Sequence, residues 1–358
     1  MEPRDLSDHD EYVAGRGIEE VARDLGRDPA DFIVLSSNEN PHGPSPEAVA
    51  AIRDGAAEVH HYPKSAHTDL TEAIADQWSV EPAQIWLANG GDGALDYLAR
   101  AMLEPGERVL VPEPGFAYYE MSARFHHGTV ATYPVREADG FELSAGTVLD
   151  AYDGERVVYL TTPHNPTGSR FSLSDIEAIG DRTDEDTLLV VDEAYGEFAE
   201  GPSARQLLAD RDDLAILRTF SKAYGLAGLR LGYAIVPEAW ANAYARVNTP
   251  FAASAIACQA GSAALEDEAH VERSVESARW ARDYMQEEID APVQESHGNF
   301  VLAHVGDAET VTAALRERGV IVRDCTSFGL PDHVRITCGT EDETKRAVTT
   351  LNEVLADR

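Results

Sequence analysis

Lysine is scarce in this sequence. It occurs only as Lys64, Lys222 and Lys345 among 29 basic residues, and all the others are arginine. Arginine cannot replace a neutral amine, because its guanidinium keeps its proton and forms no Schiff base. Lys222 nevertheless stands between hydroxyl residues and a glycine-rich stretch in the segment Thr219–Arg230. A lysine whose pKa is lowered by neighbouring cations can attack a carbonyl group. Lys222 is therefore a candidate nucleophile, and the alternative is an ordinary surface lysine near a turn.

Other features that would indicate a class of protein are also missing. The three cysteines, Cys258, Cys325 and Cys338, show no CxxC spacing, which argues against a disulfide framework and a zinc site. The histidines have no metal-ligand spacing, and the sequence contains neither a GxSxG elbow nor a P-loop. No apolar run approaches the ~18 residues of a membrane helix, and the acidic N-terminus does not resemble a signal peptide. We therefore expect a soluble, cytoplasmic protein without a bound metal.

Positive charge is the third shortage. The formal net charge is −35, with 64 acidic residues spread along the whole chain. Such a surface repels phosphate backbones, so a nucleic-acid partner is not expected. Self-repulsion of this size destabilises a compact state, but in molar salt the Debye length falls to about 3 Å and the penalty largely disappears. The composition therefore indicates adaptation to a salt-filled cytoplasm, as in halophilic archaea.

The pattern of apolar runs predicts an α/β fold. A chain of 358 residues suits two domains. Continuous apolar runs that alternate with helices predict a large domain with a mainly parallel sheet flanked by helices, and the C-terminal part predicts a smaller α+β domain. We expect an N-terminal arm at 1–30, a small domain at 31–50 and 251–358, and a large domain at 51–250. The predicted strands of the large domain include Ile85–Ala88, Arg108–Val111, Val157–Leu160, Thr187–Val191, Ala215–Arg218 and Leu231–Val236.

Polar motifs follow these strands where each of them ends. In parallel sheets, ligands bind outside the carboxyl ends of the strands, so the motifs predict one shared site. Gly91-Asp92-Gly93 opens a helix whose N-terminus suits a phosphate, or serves only as a turn. Asp192 follows a buried apolar run, and a carboxylate there is costly to bury without a cationic or hydrogen-bonding partner. A protonated pyridine nitrogen would supply it, and with Lys222 this points to pyridoxal phosphate. The alternative for Asp192 is a helix N-cap.

Three further residues suit a flat ring that carries a hydroxyl group. Phe116, after Pro114-Gly115, can stack on such a ring or belong to the core. Tyr195 can hydrogen-bond the ring hydroxyl. Asn165, in Asn-Pro-Thr-Gly, can face the ring or serve only as a turn residue.

Arginines and hydroxyl residues predict two anion sites. Arg230, eight residues after Lys222, is a planar and permanently charged partner for a phosphate, to which Thr219 and Ser221 add hydroxyl donors. Arg323 and Arg335 each interrupt an apolar strand. They predict an anion site for the substrate, or alternatively structural ion pairs.

Together these residues resemble the fold-type I, pyridoxal-phosphate-dependent aminotransferases, and within them the histidinol-phosphate aminotransferases, most closely the haloarchaeal members. The resemblance runs nearly from end to end. Its most specific segments are Leu35–Pro46, Tyr62-Pro63, Thr162–Gly168, Val191–Tyr195 and Thr219–Arg230.

The resemblance implies a role for each matching residue. Lys222 matches the Schiff-base lysine, and Asp192 matches the partner of the pyridine nitrogen. Tyr195 and Asn165 match the ligands of the ring hydroxyl, and Phe116 matches the stacking aromatic residue, which is often Tyr in the family. Lys222, Asp192 and Tyr195 are thus the expected catalytic residues.

The resemblance also implies the contacts of the cofactor phosphate and of the substrate. Tyr62 matches the tyrosine that reaches the cofactor phosphate of the other subunit of a homodimer. Arg323, Arg335, Tyr12 and Asn38 fall where the family binds substrate. The family often has Asp-Glu where this chain has Asp92-Gly93. The phosphate group is expected to contact Gly91, Asp92, Gly93, Thr219, Ser221 and Arg230.

The implied reaction is transamination of L-histidinol phosphate with 2-oxoglutarate in histidine biosynthesis, which gives imidazole-acetol phosphate and glutamate. An aromatic amino-acid aminotransferase and a threonine-phosphate decarboxylase would share nearly all the cofactor residues. A protein of another class, one that keeps the fold for binding or regulation without the cofactor, is disfavoured because Lys222 and Asp192 are retained.

The net charge generates a first prediction, on salt dependence. We expect the thermal unfolding temperature and the activity to be highest in molar KCl and to fall after dialysis into low-salt buffer, because self-repulsion is then no longer screened. Circular dichroism melts across a KCl series measure this. A protein that stays folded and active in low salt contradicts the proposed adaptation.

Overall fold

The computed structural model describes residues 6, 7, 9, 18–64 and 67–358. Tyr12, predicted as a substrate residue, lies outside them. Within these residues no helix combines the length and apolar character needed to cross a membrane. The helices are α1 (Ile18–Leu25), α2 (Pro46–Gly55), α3 (Thr68–Trp78), α4 (Gly90–Met102), α5 (Tyr118–Phe125), α6 (Ala145–Ala151), α7 (Leu173–Gly180), α8 (Tyr244–Val247), α9 (Ala255–Glu266), α10 (Glu268–Glu288), α11 (Ala308–Glu317) and α12 (Glu341–Ala356). The strands are β1 (Ile33–Leu35), β2 (Ile85–Ala88), β3 (Arg108–Glu113), β4 (Thr129–Pro134), β5 (Val157–Thr161), β6 (Leu188–Asp192), β7 (Leu214–Thr219), β8 (Gly232–Ile235), β9 (Val293–Gln294), β10 (Phe300–His304), β11 (Val320–Asp324) and β12 (His333–Thr337).

The larger sheet has seven strands in the order β2-β8-β7-β6-β5-β3-β4. The five strands from β7 to β4 are parallel to one another, and β8 runs antiparallel to both β7 and β2. Every residue of β5, β6 and β7 is buried. This is why these strands read as continuous apolar runs rather than as alternating ones. The predicted mainly parallel α/β fold is confirmed.

Side chains of the central strands alternate between two cores, one on each face of the larger sheet. On one face, Tyr159 and Val190 pack with Leu95 of α4 and Tyr119 of α5. The other face carries a separate core that contains Leu160, Val191 and Ile216 of the sheet together with Leu70 and Ile74 of α3, Ile176 of α7 and Ala257 of α9. Covering both faces with helices leaves the carboxyl ends of the strands as the open edge.

The smaller sheet has the order β1-β11-β12-β10-β9, with β1 parallel to β11 and the other pairs antiparallel. Helices α10, α11 and α12 pack on it through residues such as Met285, Leu315 and Leu351. The N-terminal strand β1 thus joins a sheet built from the last third of the chain. Helix α9, within the predicted small-domain range 251–358, contributes Ala257 and Ala260 to the core of the larger sheet. The domain boundaries themselves stay a prediction.

Helix α4 begins at Gly90, four residues before the predicted start at Ala94. The first turn of α4 lies against β8, where a Cβ atom at Gly232 would come within 2.6 Å of the Gly90 carbonyl carbon. Gly90 itself has a positive φ of 80°, a backbone conformation that glycine adopts without steric cost. These glycines therefore bring the N-terminus of α4 to the open edge of the sheet.

Candidate active site

A cavity of about 690 Å³ lies at the carboxyl ends of the central strands, beside the smaller sheet. It gathers most of the residues that were predicted from the sequence. Gly93 is not among the lining residues, and neither is Tyr62, which lies on the surface. The predicted residues that line the cavity are Asn38, Gly91, Asp92, Phe116, Asn165, Asp192, Tyr195, Thr219, Ser221, Lys222, Arg230, Arg323 and Arg335.

Lys222 follows the end of β7 and points its amine into this cavity. The Nζ atom donates a hydrogen bond to the backbone carbonyl of Ser37, at 3.3 Å, and lies 5.6 Å from the ring centroid of Tyr195. Burial and the positive charge of Arg335 together lower the pKa of Lys222 to about 8. A minor fraction of the amine is therefore already unprotonated at neutral pH, and a nucleophile or general base requires this form.

Asp192 is the last residue of β6 and is only 4% exposed. Its Oδ1 accepts a hydrogen bond from the backbone N–H of Ala194 at 2.9 Å. Its Oδ2 accepts one from the hydroxyl of Tyr119 at 2.6 Å. Burial raises the pKa of Asp192 to about 6. The next short 3-10 helix has Tyr195 at its N-cap, so Asp192 does not cap a helix, and its carboxylate is available to a cationic ligand.

Tyr119 is a site residue that was not predicted from the sequence. It is fully buried, its ring stacks on Tyr159 at 4.7 Å, and its hydroxyl lies 2.8 Å from the Thr161 Oγ1. The rings of Phe116 and Tyr119 form a T-shaped pair with their centroids 5.5 Å apart. Burial and the neighbouring Asp192 raise the pKa of Tyr119, so its hydroxyl stays protonated and donates to the carboxylate. Tyr119 thus connects the predicted stacking residue with the buried acid.

The Tyr195 hydroxyl is positioned by Asn38. The amide nitrogen of Asn38 donates to it at 3.0 Å, and Thr337 Oγ1 donates to the amide oxygen of Asn38 at 3.1 Å. Asn38 has a positive φ of 54°, which Asn tolerates better than most residues. The ring of Tyr195 packs edge-on against Phe300. Asn38 therefore orients Tyr195, and its contact with substrate stays a prediction.

Arg335 and Arg323 are cross-strand partners on β12 and β11. The Arg335 guanidinium donates to the Asn165 side-chain oxygen at 2.5 Å and to the Ser36 carbonyl at 2.7 Å. Arg323 donates to the Ser327 hydroxyl at 3.0 Å. Both guanidinium groups lie within 6.0 Å of the Phe328 ring. Since both also line the cavity, they form one cationic wall on the side of the smaller sheet.

The N-terminus of α4 and Arg230 form a second cationic region. Arg230 donates to the Asp92 carboxylate at 3.1 Å. A Cβ atom at Gly90 would lie 2.6 Å from its Nη2 atom, so this glycine makes room for the guanidinium. In the described part of the chain, no side-chain hydrogen bond from Asn89 caps α4, and the N–H groups of the first turn suit an anion. A Cβ at Gly93 would instead meet Ala88, consistent with packing rather than binding.

Two loops of the site are held together by His164, a second residue that was not predicted. It is fully buried, and its Nε2 donates to the Pro114 carbonyl at 3.0 Å. Its Nδ1 lies 2.8 Å from the Thr167 hydroxyl. Burial lowers the pKa of His164 to about 4, so the ring stays neutral. His164 thus fixes the loop of Phe116 against the loop of Asn165.

Comparison with known proteins agrees with this geometry. A model of the family described as aminotransferase class I and II matches residues 30–351. The histidinol-phosphate aminotransferase of Halobacterium salinarum is 69% identical over 363 residues, which cover 99% of each chain. The chain belongs to the histidinol-phosphate aminotransferase family. A more distant member, from Symbiobacterium thermophilum, is 41% identical and covers 97% of this chain and 96% of its own.

Solved structures with the same fold include members of this family and other aminotransferases. Histidinol-phosphate aminotransferase from Sinorhizobium meliloti, in complex with pyridoxal 5'-phosphate, superposes with a TM-score of 0.88 at 28% identity, covering 97% of this chain and 96% of that chain. Aspartate aminotransferase from Thermus thermophilus with maleate gives 0.82 at 26% identity, covering 94% and 95%. The fold is therefore that of the fold-type I aminotransferases.

The side chains in the cavity fit pyridoxal phosphate, as the family implies. Asp192 is a buried carboxylate that needs a cationic partner such as a protonated ring nitrogen. Phe116 offers an aromatic face, and Lys222 offers an amine for an aldehyde. Arg230 and the start of α4 offer donors for a phosphate. No part of this donor set conflicts with the cofactor.

Tyr119 generates a prediction about cofactor affinity. Tyr119→Phe removes the hydroxyl that donates to Asp192, and a hydrogen bond to a charged group contributes about 1.5–3 kcal/mol. We expect apo-Tyr119→Phe to bind pyridoxal phosphate at least about tenfold more weakly than the unsubstituted apoenzyme, as measured by equilibrium dialysis in molar KCl.

The adjacent residue provides the control. Tyr118 donates instead to Asp96 at 3.0 Å and does not line the cavity, so Tyr118→Phe should leave the affinity unchanged. Equal affinities for Tyr119→Phe and the unsubstituted protein would show that Tyr119 does not support Asp192.

Proposed function

We propose that this protein transfers the amino group of L-histidinol phosphate to 2-oxoglutarate with pyridoxal phosphate as cofactor, in histidine biosynthesis. The observation that carries the proposal is that the buried Lys222 amine, whose pKa is lowered in part by Arg335, lines the same cavity as the carboxylate of Asp192 and the arginine pair Arg323 and Arg335. The relatives named above support the substrate, since identity to them extends over nearly the whole chain. The same relatives do not favour an aromatic aminotransferase or a threonine-phosphate decarboxylase.

Residues of the larger domain would hold the cofactor. Asp192, supported by Tyr119, would face the ring nitrogen, and Phe116 would lie against the ring. Arg230 and the first turn of α4 would bind the phosphate, and Lys222 would form the covalent link. When bound, the cofactor supplies an electron sink for the charge left when the substrate loses its Cα proton.

Lys222 has two tasks in this proposal. Its amine first exchanges places with the amino group of the substrate. The freed Lys222 Nζ atom then acts as a general base and accepts the Cα proton of the substrate. Burial and the neighbouring arginine hold its pKa near 8, so it can accept that proton and return it. The Ser37 carbonyl, which accepts a hydrogen bond from Nζ, helps to direct the amine.

Arg335 and Arg323 would bind the anionic group that the two substrates share. This group is a phosphate in histidinol phosphate and a carboxylate in 2-oxoglutarate. Guanidinium groups suit both, because their planar donor arrangement matches two oxygens of either group. The Asn165 and Ser36 oxygens hold Arg335 in place, which reduces the entropy lost when a substrate binds.

The proposed assembly is a homodimer in which Tyr62 reaches the partner's cofactor phosphate. Tyr62 is 83% exposed and lies outside the cavity of its own chain. Its ring packs on Phe251 at 4.9 Å, and Val59 nearby in sequence is also exposed. Exposed aromatic side chains of this kind are typical of protein interfaces.

The proposed reaction predicts a substrate preference. In molar KCl we expect a higher kcat/KM for histidinol phosphate than for phenylalanine or threonine phosphate in steady-state assays with 2-oxoglutarate. A clear preference for either of the last two would overturn the assignment of the substrate.

Lys222→Ala should lower kcat by a factor of about 10³ or more, whereas Lys345→Ala, on the exposed face of α12, should not. Retained transamination in Lys222→Ala would overturn the mechanism.

The proposed dimer predicts complementation between two inactive variants. A hybrid of a Tyr62→Ala chain and a Lys222→Ala chain contains one site in which both residues are native. Random mixing makes half of the dimers hybrids, so refolding an equal mixture should restore about a quarter of the unsubstituted activity. Size-exclusion chromatography with light scattering establishes the dimer itself. A mixture that shows only the sum of the two separate activities would contradict the shared site.

A further inference from the structure

One face of α5 continues the cavity wall outward from Phe116. Phe116, Glu120 and Arg124 follow one another at intervals of four residues, and all three line the cavity. The helical path already includes Phe116, because its carbonyl accepts a hydrogen bond from Tyr119 N–H at 3.1 Å. Residues four apart lie on the same face of a helix, and each interval advances about 6 Å. Glu120 and Arg124 therefore lie progressively farther from the stacking residue along one row.

Glu120 and Arg124 are paired with each other. The Arg124 Nη2 atom lies 2.9 Å from the Glu120 Oε2 atom, and the side chains of Arg124 and Glu120 are 29% and 34% exposed. Side chains on a helix tilt toward its N-terminus, so Arg124 leans back over Glu120 toward Phe116. The cavity wall thus offers a carboxylate and a guanidinium side by side.

The proposed reaction requires a site with this dual character. Its two substrates share an anionic group at one end, for which Arg323 and Arg335 are placed. At their other ends they differ, since histidinol phosphate carries an imidazole and 2-oxoglutarate carries a second carboxylate. An imidazole N–H needs an acceptor, whereas a carboxylate needs donors. One wall of the cavity must serve both.

We propose that Glu120 and Arg124 form the subsite for the distal end of both substrates, an inference that rests on the proposed function. Glu120 accepts a hydrogen bond from the imidazole N–H of histidinol phosphate. Arg124 donates to the distal carboxylate of 2-oxoglutarate or glutamate. Each substrate engages one member of the pair. Met121, on the same wall, provides apolar contact for the ring.

Two other glutamates that line the cavity are placed less well for this task. Glu113 accepts a hydrogen bond from the Thr132 hydroxyl at 2.9 Å, at the exposed end of β3. Glu39 interacts electrostatically with Lys222 and raises its pKa, so it acts on the amine. Among the three glutamates that line the cavity in the described part of the chain, Glu120 is the one that continues the row from the stacking residue, and it is paired with Arg124.

The subsite also accounts for discrimination against aromatic amino acids. A phenyl ring has no N–H donor, so it would partly desolvate the Glu120 carboxylate and give no hydrogen bond to the oxygen that does not contact Arg124. Sites built to hydrogen-bond a substrate reject analogues that lack the matching group more strongly than apolar pockets reject a change of shape. Glu120 is thus proposed to determine specificity for the imidazole.

The test measures binding of each substrate without turnover. The holoenzyme is reduced with borohydride, and the dissociation constants of histidinol phosphate and 2-oxoglutarate are determined by calorimetry in molar KCl. Glu120→Leu should raise the dissociation constant of histidinol phosphate about tenfold and leave that of 2-oxoglutarate nearly unchanged. Arg124→Met should raise the dissociation constant of 2-oxoglutarate about tenfold and that of histidinol phosphate by a smaller factor. Glu120→Gln, which keeps one acceptor oxygen, should recover part of the loss.

A control variant distinguishes loss of the subsite from a general loss of helix stability, and the possible outcomes distinguish failure of the subsite from failure of the proposed function. Glu341→Leu breaks a similar pair, in which Lys345 Nζ lies 2.5 Å from Glu341 on α12, and should change neither constant. Equal losses for both substrates in each α5 variant, or no loss, would overturn the subsite while the proposed function stands. An unsubstituted holoenzyme that neither binds nor transaminates histidinol phosphate would overturn the proposed function, and the subsite with it.

Discussion

The burial of one amine beside fixed positive charge is the constraint on which the site depends. Lys222 lies at the end of β7, and Arg335 lies close enough to lower its pKa beyond the effect of burial. Arg335 is held there by the Asn165 and Ser36 oxygens rather than by Lys222 itself. The same arginine can therefore bind an anionic substrate and keep the lysine partly unprotonated. When a substrate anion neutralises Arg335, the pKa of Lys222 should rise, which favours proton uptake at the moment when the base is needed.

The larger sheet places these charges by simple topology. Parallel strands end at the same edge, so Asp192 and Lys222 come together although 30 residues separate them in the sequence. Helices cover both faces, and ligands of parallel sheets bind outside the carboxyl ends of the strands, where the cavity lies. Gly232 and Gly90 let α4 approach the same edge. The strongly acidic composition is a separate property of the chain, and it fits the similarity to proteins of haloarchaea.

Much of the fold and the site could be predicted because the signals are local. Asp192 after an apolar run, and Lys222 in a chain nearly without lysine, are visible in the sequence alone. Tyr119 was missed because the sequence does not distinguish it from the adjacent Tyr118. The orientation of α5 about its axis determines that Tyr119 faces Asp192. His164 was missed because its partners, Pro114 and Thr167, meet it only across two loops. Strand β4 was missed because an edge strand, half exposed, lacks a clear apolar pattern.

The central claim is that the folded protein lowers the pKa of Lys222 to about 8, so that part of the amine is unprotonated and reactive near neutral pH. The rate at which the apoenzyme takes up pyridoxal phosphate, measured by stopped-flow absorbance across a pH series in molar KCl, tests this most directly. The rate should rise through a midpoint near pH 8, because burial and Arg335 lower the pKa of Lys222 to about that value, and Arg335→Met should move the midpoint upward. A midpoint near 10.5, the ordinary value for lysine, in the unsubstituted protein would contradict the account.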